Sequence, residues 1–184
     1  MKAAFLDRDG VINYDYGYVY KFENFRFCKG IFKGLKTLIE LDFSLIIITN
    51  QSGIARGIFT EEEYKKTTNL MLNKLKDNNI KITQIYHCPH HPSFPGNEFS
   101  ECSCRKPKPG LFLKAAKEHN IEMQKSIAIG DSERDLIAAR SAGIKKRYLI
   151  RKDNSLEKQN LITSTHKSLL ECANTIKNFK ENLI

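Results

Sequence analysis

No apolar stretch in this chain of 184 residues approaches the 18 or so that a membrane-spanning helix needs. The N-terminus runs straight into a strand-like segment, without the charged start, apolar middle and small-residue cleavage site of a secretory signal. Both absences set the expectation of a cytoplasmic protein with no membrane partner. Internal repeats, low-complexity tracts and linker-like composition shifts are also missing, so a single domain, 1–184, is expected. Carboxylates are scarce beside cations, 21 against 30, leaving a net charge of +9. The lysines are scattered, and no basic stripe with interleaved aromatics exists, so nucleic acid is not expected as a partner. Solvated surface accounts for the charge first, and an anionic small substrate second. Prolines are confined: all five lie between His87 and Pro109.

What is present is an alternation of apolar strands and helical patterns, the signature of a parallel sheet covered by helices. Strands are expected at Lys2–Leu6, Phe43–Ile48, Ile80–Tyr86, Ser126–Ile129 and Arg147–Ile150. Helices are expected at Ile31–Leu41, from the Thr60–Glu63 capping box to about Asp77, and at Gly110–His119, Glu133–Ala142 and Ser168–Phe179. Residues 7–30 read as a loop or small flap. His87–Pro109 reads as a long loop, which in a compact domain needs a functional or stabilising reason.

Four short motifs follow in order: Asp7-Arg8-Asp9-Gly10, Thr49-Asn50-Gln51-Ser52-Gly53, Arg105-Lys106-Pro107 and Gly130-Asp131-Ser132. Three of them leave apolar strands at the end where open α/β sheets keep their sites. Each motif has a plainer reading as a turn, a solvated loop or a helix N-cap. A calcium loop of EF-hand type is excluded at Asp7, because Val11 and Tyr18 stand where its fifth and twelfth positions need oxygen ligands. Together the motifs supply a carboxylate nucleophile, a carboxyl acid/base, a hydroxyl, a cation and a metal-binding carboxylate.

On these motifs the chain resembles the haloacid dehalogenase superfamily of phosphatases, and within it the heptose bisphosphate phosphatases, with histidinol-phosphate phosphatases as relatives. The matching stretches include Gly17-Tyr-Val19, Thr49 to Gly57, Cys88-Pro-His-His-Pro92 and Cys102 to Pro107, and span residues 5–131. The resemblance implies a Rossmann-like parallel sheet and Mg²⁺-dependent phosphoryl transfer. Asp7 would form an aspartyl phosphate and Asp9 would act as acid and base. Thr49 and Lys106 would stabilise the phosphoryl group, and Asp7, the Asp9 carbonyl and Asp131 would hold Mg²⁺. Asp135 either backs the metal or starts a helix. Ser132 stands where some heptose phosphatases have lysine, so one expected substrate cation is missing.

Five cysteines occur, three of them between Cys88 and Cys104. Clustering of this kind, in a chain expected in the cytoplasm, argues for metal rather than disulfides. Cys88, His90, Cys102 and Cys104 make a Cys₃His set suited to a closed tetrahedral Zn²⁺, with His91 as the runner-up ligand. Such a zinc would be structural and would fix Arg105 and Lys106, which follow at once.

The intervals between motifs, 42 positions from Asp7 to Thr49 and 57 from there to Lys106, leave no room for a large cap domain. A capless site must select its substrate through short loops, which puts Asp15, Tyr16, Gly17, Tyr18, Asn50, Gln51, Ser52, Arg56 and Arg105 forward as substrate-binding residues. Arg56 and Arg105 suit a second, non-reacting phosphate. The resemblance thus implies a monomeric phosphatase acting on a small phosphorylated sugar on a route to surface heptose, with histidinol phosphate as the alternative substrate.

Overall fold

The computed structural model describes residues 1–94, 102–151 and 160–181, so part of the expected proline-rich loop, 95–101, lies outside the described residues. Six parallel strands form one sheet: β1 (Ala3–Leu6), β2 (Ser44–Asn50), β3 (Ile82–Cys88), β4 (Ile127–Gly130), β5 (Lys146–Ile150) and β6 (Ser164–His166). Their spatial order is β3-β2-β1-β4-β5-β6. Among the described residues, five α-helices cover the sheet: α1 (Ile31–Glu40), α2 (Glu61–Asp77), α3 (Gly110–His119), α4 (Glu133–Ser141) and α5 (Leu169–Glu181). Among the described residues, no helix is long and apolar enough to cross a membrane.

The strands are apolar throughout because both faces of a parallel sheet are buried. Ala4, Leu6, Leu45, Ile47, Ile127 and Ile129 face one way, towards Leu35 and Leu38 of α1, Met71 and Leu75 of α2, and Leu169 of α5. Ala3, Phe5, Ile46, Ile48 and Ala128 face the other way, towards Leu111 and Phe112 of α3 and Ala138 and Ala139 of α4. Cutting a buried isoleucine such as Ile47 to alanine would cost about 2–5 kcal/mol in lost burial and cavity. The expected capping box starts α2: Thr60 N–H donates to Glu63 at 2.8 Å and Glu63 N–H to the Thr60 hydroxyl at 3.1 Å.

Three features depart from expectation. β3 starts two residues late, because buried Ile80 instead closes the end of α2, its N–H donating to Leu75 O at 3.0 Å. β2 runs through Thr49 and Asn50, held by register with His87 and Cys88 of β3. β6 was not expected at all; Ser164-Thr-His has no apolar run and pairs only at the edge of β5. Residues 7–30 do form a small flap, with Val11, Ile12, Val19 and Phe25 buried beneath it. The Thr67 hydroxyl ties the flap to α2 by donating to Tyr20 O, and the Tyr20 ring stacks on Phe59.

The chain moves outward from β1 to β2 and β3, then returns to the other side of β1 for β4. Such a reversal opens a crevice beyond the carboxyl ends of β1 and β4, the usual ligand position in open α/β sheets.

Candidate active site

Asp7 leaves β1 and Asp131 leaves β4, on the two sides of that crevice. The Asp7 N–H donates to Ile129 O at 3.0 Å, which fixes the turn against β4. Gly10 adopts a φ of +82°, and a Cβ there would lie 2.1 Å from Asp131 Oδ2, so only glycine lets this turn approach Asp131. Gly130 serves in the same way for Asp135, whose Cβ would be 2.4 Å from an added Cβ.

Lys106 is 2% exposed. Its Nζ lies 3.0 Å from Asp7 Oδ1 and 2.7 Å from Asp135 Oδ1, and donates to Ile48 O at 2.6 Å. Three acceptors match the three protons of an ammonium. Burial works against the Lys106 charge, but Asp135 and Asp7 outweigh it and hold its pKa above the usual lysine value. The same contact holds Asp135 below the usual carboxylate range, against the effect of burial. Asp135 also accepts from the Ser132 N–H at 3.0 Å and the Ser132 hydroxyl at 2.6 Å. Asp135 therefore caps α4 and also pairs with Lys106, a role beyond the two left open by sequence, backing the metal or starting a helix.

Asp7 and Asp131 are short of positive charge. Burial, reinforced by Asp135, Asp131 and Asp9 and opposed by Lys106, pushes Asp7 up to about 8. Burial and Asp135 push Asp131 up to about 7. Oxygens of Asp7, Asp131 and Asp135 all lie within 4.8 Å of one another. Carboxylate oxygens so placed, with Asp135 already paired to Lys106, fit a divalent oxygen-loving cation held by Asp7 and Asp131.

Asp9 is gripped by residues that sequence reading passed over. Arg8 donates to Asp9 Oδ2 through Nε at 3.1 Å and to Oδ1 through Nη2 at 2.9 Å, and Asn13 Nδ2 donates to Oδ1 at 2.9 Å. Arg8 is 1% exposed and anchored by a further bond to Val19 O at 2.8 Å. Gln51 Nε2 donates to Asp9 Oδ2 and to the Thr49 hydroxyl, both at 2.9 Å. Gln51 thus positions two site residues rather than lining the site. The signal for Arg8 was its place between the two motif aspartates, where a buried cation has carboxylates on both sides.

The thiol loop converges as its spacing suggested. Cys104 and Cys88 sulfurs lie 3.0 Å apart, Cys88 and Cys102 3.7 Å apart, and His90 Nδ1 lies 3.2 Å from Cys104 and 3.7 Å from Cys88. Cys88, Cys102 and Cys104 form no disulfide. A tetrahedron with metal–sulfur bonds of about 2.3 Å has sulfur–sulfur edges of about 3.8 Å, so this cluster fits such an ion after small adjustments. Burial pushes the Cys88 thiol up, which a bound cation would reverse. His91 is instead engaged by Arg56, whose Nη2 lies 2.8 Å from its Nε2.

A cleft of about 240 Å³ is lined by Asp7, Asp9, Thr49, Lys106 and Asp131, and also by Asp15, Gly17, Tyr18, Asn50, Ser52 and Arg105. Asn50 bridges to the lysine loop in both directions, accepting from Lys106 N–H and donating to Lys106 O at 3.1 Å each. Three expected substrate residues, Gln51, Tyr16 and Arg56, stand outside the cleft lining. Tyr16 is 67% exposed and outside the cleft lining. Arg56 is drawn away by His91 and by the Phe94 ring, 4.6 Å from its guanidinium carbon. Arg134 lines the cleft and was not foreseen. Its signal was a cation in the first turn of a helix, where the macrodipole disfavours one.

Comparison with known proteins agrees with this geometry. A family model described as polynucleotide kinase 3 phosphatase matches residues 6–181. A Yersinia pestis D-glycero-beta-D-manno-heptose-1,7-bisphosphate 7-phosphatase is 47% identical over 150 residues, 81% of this chain and 80% of the relative. A Photorhabdus laumondii protein named for the alpha anomer is 43% identical over 152 residues, 82% of this chain and 83% of its own. The D,D-heptose 1,7-bisphosphate phosphatase of B. bronchiseptica, crystallised with magnesium and phosphate, superposes with a TM-score of 0.83 at 29% identity, over 97% of this chain and 99% of that one. Motifs, fold and relatives agree: the chain belongs to the polynucleotide kinase 3 phosphatase family of haloacid dehalogenase-type phosphatases, and resembles its heptose bisphosphate 7-phosphatases.

Proposed function

We propose that this chain is a Mg²⁺-dependent phosphatase that removes the 7-phosphate of D-glycero-D-manno-heptose 1,7-bisphosphate, leaving heptose 1-phosphate. The observation that carries the chemistry is the convergence of Asp7, Asp131, Lys106 and Thr49 on one cleft at the sheet's reversal point. The substrate rests on relatives of that name at 43–47% identity.

Asp7 attacks phosphorus, the bond from phosphorus to the sugar oxygen breaks, and Asp9 gives that oxygen its proton. Water then attacks the aspartyl phosphate, Asp9 takes the water's proton, and Asp7 and phosphate are released. Lys106 offsets the charge of Asp7 and of the phosphoryl oxygens, and the Thr49 hydroxyl donates to one of them. Asp9 accepts at both oxygens in this arrangement, so delivering its proton requires one of Arg8, Asn13 or Gln51 to let go. Mg²⁺ on Asp7, the Asp9 carbonyl and Asp131 would supply Lewis-acid neutralisation of the two anions brought together. Zn²⁺ on Cys88, His90, Cys102 and Cys104 would be structural. The free thiols suit a reducing cytoplasm.

Phosphate release should be compared across both heptose 1,7-bisphosphate anomers, fructose 1,6-bisphosphate and histidinol phosphate. A heptose bisphosphate should have the highest kcat/KM. Preference for histidinol phosphate would overturn the substrate while sparing the phosphoryl-transfer chemistry.

A further inference from the structure

Arg134 lines the cleft, and the catalytic scheme gives it no task. It is the second residue of α4, and a cation in the first turn opposes the helix macrodipole. Local rules are usually broken where function requires it. Its Nε donates to the Ser132 hydroxyl at 3.2 Å, which anchors the guanidinium beside the cleft that Arg134 lines. No carboxylate among the described residues pairs with it. The negative charge of Asp131 draws it inward, and it lies near enough to Arg105 for the two cations to repel.

Arg105 is a second cation of the same lining. It follows the thiol cluster, its Nη1 donates to His90 O at 3.2 Å, and it also lines the cleft. Arg105 and Arg134 line the same cleft near enough to repel, and neither makes an ion pair with a carboxylate of the described residues, so together they offer two guanidiniums to an anion. The third arginine of the region, Arg56, is engaged by His91 and Phe94 and does not line the cleft. The residues that would hold the reacting phosphate, Asp7, Thr49 and Lys106, line the same cleft of about 240 Å³.

We infer that Arg134 is a specificity-determining residue: with Arg105 it clamps the phosphate that stays on the sugar, its fork held ready by Ser132. The inference rests on the bisphosphate reading above. Arg recognises a phosphate through a planar, often bidentate fork, so neither lysine nor a neutral residue replaces it fully.

The test compares Arg134→Ala, Arg134→Lys, Arg105→Ala and the double Arg134→Ala/Arg105→Ala protein with wild type. Substrates are the heptose 1,7-bisphosphate and the corresponding heptose 7-phosphate, which lacks the clamped group. Arg134→Ala should lose about 10- to 150-fold in kcat/KM on the bisphosphate, the range expected for one charge-assisted bond, and should lose far less on the monophosphate. The loss should fall mainly on KM, Arg134→Lys should recover part of it, and the double variant should lose less than the product of the singles. Arg134 is exposed, so unchanged thermal stability of the variants is expected and is measured alongside. Equal losses on both substrates, or an unchanged bisphosphate preference in Arg134→Ala, would overturn the clamp while leaving the phosphatase reading intact. Wild-type protein that shows no preference for the bisphosphate would instead overturn the substrate reading, and the clamp with it.

Discussion

Two clusters of potential metal ligands lie on either side of Arg105, and they differ in almost every physical respect. Asp7, Asp131 and Asp135 offer hard oxygens around a buried lysine and open onto a cleft. Cys88, His90, Cys102 and Cys104 offer three sulfurs and a nitrogen, with no internal cation, in a set that fills a tetrahedron by itself. The first cluster leaves room for substrate and suits an ion that keeps water and exchanges. The second leaves no open position and suits an ion that ties chain segments together. They meet in sequence at Cys104-Arg105-Lys106, so an ion on the sulfur cluster would fix in place the cations beside the oxygen cluster.

The sharpest contrast should come from Asp7→Asn, which removes the attacking charge at constant size. Turnover should drop by orders of magnitude while thermal stability holds or rises, since a buried carboxylate pushed up to about 8 is lost. Substantial turnover by this variant would mean that the oxygen cluster does not supply the nucleophile. Lys106→Ala comes next, with an expected loss of about 10²–10³-fold in kcat, comparable to removal of one preorganised donor to a developing anion. That variant should also be destabilised, since it leaves Asp7 and Asp135 buried without their cation.

Cys102→Ser strikes the other cluster and should show the opposite pattern. Zinc content should fall from about one per chain, and the melting temperature should drop by roughly 10 °C, as expected when a structural site worth a few kcal/mol is lost. Activity should fall in step with unfolding, because Arg105 and Lys106 lose their anchor. A zinc-free protein with wild-type stability and turnover would remove the structural role. The smallest effect concerns pH. In the metal-free protein, Asp7 and Asp131 bind protons more tightly than in the unfolded chain, where carboxylates titrate near 4. Their contribution to stability is present at low pH and is lost as pH rises from there through about 7 and 8. Mg²⁺ needs the deprotonated carboxylates, so its stabilising shift in melting temperature should be larger at pH 8 than at pH 6. An equal shift at both pH values would contradict the placement of the ion on Asp7 and Asp131.

The two clusters were legible in the sequence for different reasons. Cys88-x-His90 and Cys102-x-Cys104 carry their geometry in short spacings, and Lys106 follows within two residues. Asp7 and Asp131 could be placed because each leaves an apolar strand, and parallel strands β1 and β4 bring those ends together. Arg8 and Arg134 left only the weak signal of their positions, and Asn13 left none. Their importance depends on side chains folding back towards Asp9 or into the cleft, which neither period nor propensity encodes. Arg56 failed as a cleft residue for a related reason: it sits in a matching motif, yet His91 and Phe94, more than thirty positions on, decide where it points. β6 escaped because a three-residue edge strand leaves no apolar pattern.

The most direct test of the central claim is to trap the phosphoryl group on the protein. Enzyme and heptose bisphosphate labelled in the 7-phosphate are mixed with Mg²⁺, quenched in acid within one turnover, reduced with borohydride and digested. Label should remain with the protein at quench, and reduction should convert Asp7 to homoserine in the peptide carrying Asp7 and Asp9. Label released entirely as free phosphate at every quench time, or reduction at another carboxylate while Asp7 stays intact, would contradict the account.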